Sequence, residues 1–197
     1  VAVKPQMMEE VLPSFVSLKS SRPLILSIAA GKTIATFERH FGSDAAVIRT
    51  IPNTPAAVGR GITAMASNPN VSAAQLDLAR LLLSSVGEVV TVDNEALIDA
   101  VTAVSGSGPA YVFYLTECLA AAGEKVGLPP DLAMQLARAT VAGSGELMRQ
   151  SGIAAATLRQ NVTSPKGTTY AALQVLMAED GMQPLFDRAI DAATQRS

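Results

Sequence analysis

The stretch Asn161–Tyr170 (NVTSPKGTTY) gathers groups that can hold an anion. Hydroxyls stand at Thr163, Ser164, Thr168 and Thr169, a cation at Lys166, and a glycine, Gly167, just ahead of the apolar run Ala171–Met177. A loop of this kind running into a helix presents free backbone N–H groups and the positive end of the helix dipole at one place. The neighbouring hydroxyls can add donors. A small carboxylate or phosphate is the ligand such a place favours. The same residues also describe an ordinary helix cap, since Ser and Thr are common there with nothing bound.

Other chemistry-bearing residues are fewer. One His (His40) and one Cys (Cys118) supply neither a typical zinc site nor a Cys–His nucleophile pair. Cys118 sits in the helical run Tyr111–Cys118 and reads as a small buried hydrophobe, and His40 as a solvated helix position. A single cysteine excludes an intramolecular disulfide and fits a reducing compartment, so a cytoplasmic protein is expected. Gly106-Ser107-Gly108 has the look of a dinucleotide fingerprint, but residue 111 is Tyr and a helix precedes it, so it reads as a tight corner between helices. Gly59-Arg60-Gly61 lacks the glycine and helix that should follow. Three short loops remain, Val3-Lys4-Pro5, Ala29-Ala30-Gly31 and Asn53-Thr54-Pro55, each at the end of a predicted strand. In an open α/β sheet, ligands gather beyond the carboxyl ends of the strands, and small loops there suit the flat face of a nicotinamide ring.

The elements that must carry these residues fall into two halves of a 197-residue chain that is 49% hydrophobic. Up to Asp93 strand and helix alternate. A helix is predicted over Pro5–Leu18, bent at Pro13, then a strand over Leu24–Ile28 and a helix over Thr33–Phe41 stopped by Gly42. Strands follow over Ala46–Ile51 and Gly61–Ser67. Ser72 starts a helix through Val86, with Gln75 placed for a capping box, and Glu88–Val92 is a last strand. Such alternation indicates α/β architecture, the C-terminal part of a doubly wound, Rossmann-like sheet domain. From Asn94 to the end the pattern is all-α. Helices are predicted near 95–104, 109–126, 130–150, 154–160, 168–178 and 182–195, parted by Gly, Ser and Pro. Tyr111, Leu115, Leu119, Ala122 and Val126 form one stripe, and Leu132, Leu136, Thr140, Gly143 and Leu147 another. These stripes read equally as simple core packing or as a subunit interface. A net charge of −2 gives no electrostatic case for nucleic acid, and charges recur too often for a membrane span.

Together, six stretches resemble pyrroline-5-carboxylate reductases: Ala2–Pro5, Ala29–Gly31, Arg49–Pro55, Leu83–Gly87, Asp99–Tyr111 (DAVTAVSGSGPAY) and Asn161–Thr169. The last two are long and specific, and the resemblance runs from the first residue to about Ala193. It implies reduction of 1-pyrroline-5-carboxylate to L-proline, the last step of proline synthesis, with NADPH or NADH. It implies that the Ser164–Thr169 loop, through Gly167, Thr168 and Thr169, binds the substrate carboxylate, and that Thr102 lies near the substrate ring nitrogen. Val3, Lys4, Ala30, Asn53 and Asn161 match cofactor-contacting positions. The family site is completed across subunits, so a homodimer or a ring of dimers is expected. Lys166 stands where many members have glycine, and Gly152 near a position that is acidic in some. The family also has an N-terminal strand–GxGxxG–helix unit that is not in this sequence. The expectation is therefore an N-terminally truncated reductase with negligible activity of its own, and the alternative is a non-catalytic helical assembly fragment carrying a vestigial half-domain. A β-hydroxyacid dehydrogenase relative is the weaker third reading, because Lys125 is not in a suitable motif.

Overall fold

The computed structural model describes residues 1–3 and 7–197, with only the backbone of Glu9. Two compact units emerge: Val1–Pro109 with the terminal Ala192–Ser197, and Ala110–Asp191.

The first unit is built on a four-stranded sheet in the order β1-β2-β3-β4, with β1 Leu24–Ser27, β2 Ala46–Ile51, β3 Gly61–Ser67 and β4 Gly87–Thr91. It is mixed rather than wholly parallel. β1 pairs parallel with β2, and β3 with β4, but β2 and β3 run antiparallel. The connections explain this. Helix α2 (Ile34–Phe41) carries the chain from β1 to β2, and α3 (Ala73–Ser84) carries it from β3 to β4. Between β2 and β3 stands only the short link 52–60 with a 3-10 turn at Thr54–Val58, too short for the crossover that parallel pairing needs.

Side chains alternate across the strands, so both faces of the sheet are covered. Val47 and Ile25 pack with Met8, Leu12, Phe37 and Phe41 in one cluster. Ile48 and Met65 pack with Ala79 and Leu83 in another. The capping box read from sequence starts α3: Gln75 N–H donates to Ser72 Oγ (3.3 Å) and Ser72 N–H to Gln75 Oε1 (2.9 Å). A cap of this kind is worth about 1 kcal/mol. Gly87 opens β4 at φ +148, and a Cβ there would lie 2.0 Å from the Gly61 carbonyl oxygen. Only glycine permits that approach at the mouth of the β3–β4 pair.

Two stretches differ from the sequence expectation. The predicted Pro5–Leu18 helix, whose first residues lie outside those described, is a single α-turn, α1 (Met8–Val11), followed by a 3-10 segment over Leu12–Ser21. Pro13 lies at its start and cannot donate the bond that would continue an α-helix. The helix expected over residues 95–104 is α4 (Leu97–Val101), which widens into a π-turn over Thr102–Gly106. Ser107 N–H donates to the Thr102 carbonyl (2.8 Å), five residues back. The Ser105–Gly108 corner is thus mostly absorbed into the turn. α4 packs on the sheet through Ile98, fully buried among Ile51, Ala64 and Ala66, so the sheet unit extends past Asp93.

Helices α5 (Gly108–Lys125), α6 (Pro130–Ser151), α7 (Ala155–Asn161), α8 (Thr168–Leu176) and α9 (Met182–Arg196) make up the all-α part. Within the second unit α5 and α6 approach through small residues, with Ala120, Ala133 and Ala137 each 2% exposed. Tyr111 and Phe186 meet edge to face, ring centroids 6.4 Å apart. The two stripes are not a core of the single chain. Leu115, Leu119, Val126, Leu132, Leu136 and Leu147 are all exposed, Val126 to 83%. Phe113 and Tyr114 are exposed too. Monomers rarely show so much contiguous apolar surface.

Candidate functional site

In the second unit, α8 begins as the sequence suggests. Gly167 N–H donates to the Ser164 carbonyl (3.0 Å), closing a turn with Pro165 and Lys166 at its centre. Lys166 is left-handed at φ +58, a conformation that suits glycine better than lysine. A Cβ on Gly167 would press to 3.2 Å from the Ser164 carbonyl oxygen, so glycine lets the turn close tightly. Gly167 is the N-cap of α8 and no side chain caps the helix. Its carbonyl accepts from Ala171 N–H (3.1 Å), and the N–H groups of Thr168, Thr169 and Tyr170 have no acceptor among the described residues. Ser164 and Thr168 are exposed, and Thr169 is half-buried. An uncapped first turn with open hydroxyls beside it presents donors of the kind that favour an anion. Asn161 closes α7 shortly before this loop and is exposed.

In the first unit, the strand-end residues reach one edge of the sheet. Val1 pairs with β1 in parallel fashion: its amino group donates to the Leu26 carbonyl, and Ile28 N–H donates to the Val1 carbonyl (3.1 Å). Val3, Ala30 and Asn53 therefore all follow the carboxyl ends of parallel segments. Ala30 is exposed, in a turn where Gly31 has φ +68 and a Cβ on Gly31 would meet nothing. Lys4 lies outside the described residues.

Asn53 is engaged in a way the sequence did not reveal. Its Oδ1 accepts from Ile62 N–H (2.9 Å), and its Nδ2 reaches the Ser105 carbonyl (3.3 Å) and hydroxyl (3.4 Å). That link brings the π-turn to the same edge of the sheet. Thr102 opens the turn half-buried, and its hydroxyl donates to the Ile98 carbonyl (2.7 Å). With that hydrogen committed, the oxygen facing away is left as an acceptor.

The feature sequence reasoning missed is buried. Arg49, in the middle of β2 with its side chain 4% exposed, donates to Glu95 Oε1 (3.0 Å) and Asp99 Oδ1 (3.5 Å). Glu95 Oε1 also accepts from Ile34 N–H (2.8 Å), the first N–H of α2. Arg49 Nε is buried without a partner. The available signal was an arginine inside the apolar run AVIRTI, with two carboxylates four residues apart on a later helix. No group of His, Cys, Asp or Glu among the described residues could hold a metal ion, and no helix among them is long and apolar enough to cross a membrane.

Comparison with known proteins covers both units. The family model for pyrroline-5-carboxylate reductase dimerisation matches residues 95–197. The chain is 44% identical over 197 residues to the pyrroline-5-carboxylate reductase of Pseudomonas aeruginosa, covering all of this chain and 72% of that one. It is 45% identical to that of Synechocystis, with the same coverage. A pyrroline-5-carboxylate reductase structure from Coxiella burnetii superposes with a TM-score of 0.93 at 36% identity, covering 98% of this chain and 72% of that one. The Plasmodium falciparum pyrroline carboxylate reductase, solved with NADP bound, gives a TM-score of 0.84 at 33% identity over 98% of this chain and 77% of its own. The match begins at the first strand, continues through the π-turn and includes the α8 loop, so both halves are accounted for by one family. The chain belongs to the pyrroline-5-carboxylate reductase family.

Proposed function

We propose that the protein reduces 1-pyrroline-5-carboxylate to L-proline, with NADPH as the hydride source. The observation that carries the reading is the uncapped N-terminus of α8 behind the Ser164–Gly167 turn, which offers the N–H groups of Thr168 and Thr169 to a carboxylate. Ser164 and Thr169 add hydroxyls, and Lys166 adds charge. The helix end binds substrate and product alike; it fixes the ring rather than driving the chemistry.

Thr102 deals with the ring nitrogen. Because its hydrogen goes to the Ile98 carbonyl, Oγ1 accepts a hydrogen bond from the protonated imine N–H. It thereby favours the iminium form, whose C5 is the better hydride acceptor. The open turn at Ala30 and Gly31 would hold the nicotinamide end of the cofactor, since the room at Gly31 fits a flat ring, and the resemblance implies Val3, Lys4 and Asn161 as further cofactor contacts. When bound, the cofactor supplies a hydride from its C4 to substrate C5, leaving the oxidised cofactor and a secondary amine. The NADP bound in the Plasmodium relative favours the phosphorylated cofactor.

The exposed stripes of α5 and α6 are the surface on which a second copy completes the pocket, giving a homodimer or a ring of dimers. The free, exposed thiol of Cys118 suits a reducing, cytoplasmic setting. The non-catalytic alternative is not favoured, since the named reductases match the whole chain.

The test is direct. L-proline added to the full-length protein should protect the Thr168 and Thr169 amides from hydrogen exchange. Thr169→Val should weaken substrate binding by about 1–3 kcal/mol, the range for a lost hydrogen bond to a charged group. Unchanged exchange and unchanged affinity would remove the carboxylate assignment.

A further inference from the structure

We propose that Arg49 and Asn53 are positioning residues that hold the Thr102 hydroxyl at the reaction centre by pinning both ends of the segment 95–106. The proposal rests on the reading of Thr102 given above. It starts from a weakness in the fold. α4 is five residues long and the π-turn that follows is another five. A helix so short has no stability of its own, and π geometry is rarely adopted without cause. The position of Thr102 must therefore be imposed from outside the segment.

β2 and the residues just past it impose it at three points. At the front, Arg49 reaches Glu95 (3.0 Å), in the turn just before α4, and Asp99 (3.5 Å), within it. Glu95 is also fixed by Ile34 N–H at 2.8 Å, which ties the same carboxylate to α2. In the middle, Ile98 is buried against Ile51, and its carbonyl receives the Thr102 hydroxyl. At the back, Asn53 grips Ser105 through carbonyl and hydroxyl while Ile62 N–H holds its own Oδ1. Asn53 Nδ2 faces both acceptors of Ser105 and its Oδ1 is taken by Ile62 N–H, so the side chain is turned to the π-turn. Asn53 thus acts through Thr102, in place of the direct cofactor contact that the resemblance implies for it.

The experiment is a set of double-mutant cycles against Thr102→Val in the full-length protein, reading kcat, the KM for NADPH and the melting temperature. Asn53→Asp keeps the acceptor for Ile62 N–H and removes the donors to Ser105. Arg49→Lys keeps the charge and removes the fork. Each single variant should lower kcat about tenfold to a hundredfold, the scale of a misplacement near 1 Å, with the KM for NADPH unchanged. In the Thr102→Val background the same substitutions should cost less than about threefold, because the group they position is gone. A full-sized loss in that background, or a raised NADPH KM in Asn53→Asp, would overturn the proposal. Should Asn53→Asp fail to fold, Arg49→Lys and Glu95→Gln decide on the same criteria. Wild-type turnover in Thr102→Val alone would instead show that the reading of Thr102 is wrong.

Discussion

Replacing Arg49 by Met tests how the sheet unit is held together, because opposing effects can be weighed from the structure. Removing one member of a fully buried ion pair costs about 3–5 kcal/mol, since the partner charge is stranded. Here the partners are not fully buried: the side chains of Glu95 and Asp99 are 28% and 45% exposed, so water can reach both once the guanidinium leaves. Glu95 also keeps its bond from Ile34 N–H. On the other side, Met removes a desolvated cation and the partnerless Nε, and fills much of the same volume with apolar atoms. The net cost should be about 1–2 kcal/mol. For a chain of this size that is a fall in melting temperature of about 2–8 °C. The guanidinium is enclosed, so raising salt from low to moderate ionic strength should change the difference little. The assay is thermal unfolding of both proteins at two salt concentrations. A variant as stable as the parent, or more stable, would show that the Arg49–Glu95–Asp99 cluster does not hold α4 to the sheet.

Other outcomes follow from single positions. Lys166→Gly relieves a left-handed lysine worth roughly 1–2 kcal/mol, but frees the unfolded chain at a cost of about 0.5–1 kcal/mol; the melting temperature should hold or rise slightly, and a clear fall would contradict it. Gly87→Ala places a Cβ 2.0 Å from the Gly61 carbonyl oxygen, so denaturant titration should show a loss above about 3 kcal/mol, or no soluble protein. If α5 and α6 form the subunit interface, Phe113→Glu should shift the light-scattering mass toward the monomer while far-ultraviolet circular dichroism stays helical. Maleimide should then label Cys118 faster in that variant than in the parent, and equal rates would place Cys118 outside the interface.

Legibility in the sequence followed the range of the interactions. The capping box at Ser72 and Gln75, the stop at Gly42 and the strand Ala46–Ile51 are local, and the residue types announce them. The α8 loop was legible for the same reason, because a helix start needs only its own few residues. The antiparallel β2–β3 pair was in principle readable from the short link after Ile51, whereas the alternation of strand and helix gives the doubly wound architecture without the direction of each strand. The π-turn was not readable: widening by one residue leaves the apolar spacing of residues 95–104 nearly unchanged, and the cause lies in Ile51, Asn53 and Arg49 elsewhere in the chain. The stripes of α5 and α6 show the limit most clearly. Periodicity marks a face for burial but does not say whether the same chain or another copy buries it.

Hydride transfer from NADPH to 1-pyrroline-5-carboxylate is the activity proposed for the protein. It is tested most directly by mixing the purified full-length protein with both and following NADPH absorbance together with L-proline formed. NADPH loss should depend on the imine and match L-proline mole for mole, falling sharply in Thr102→Val and, at subsaturating imine, in Thr169→Val. Absence of imine-dependent NADPH oxidation, or oxidation without L-proline, would contradict it.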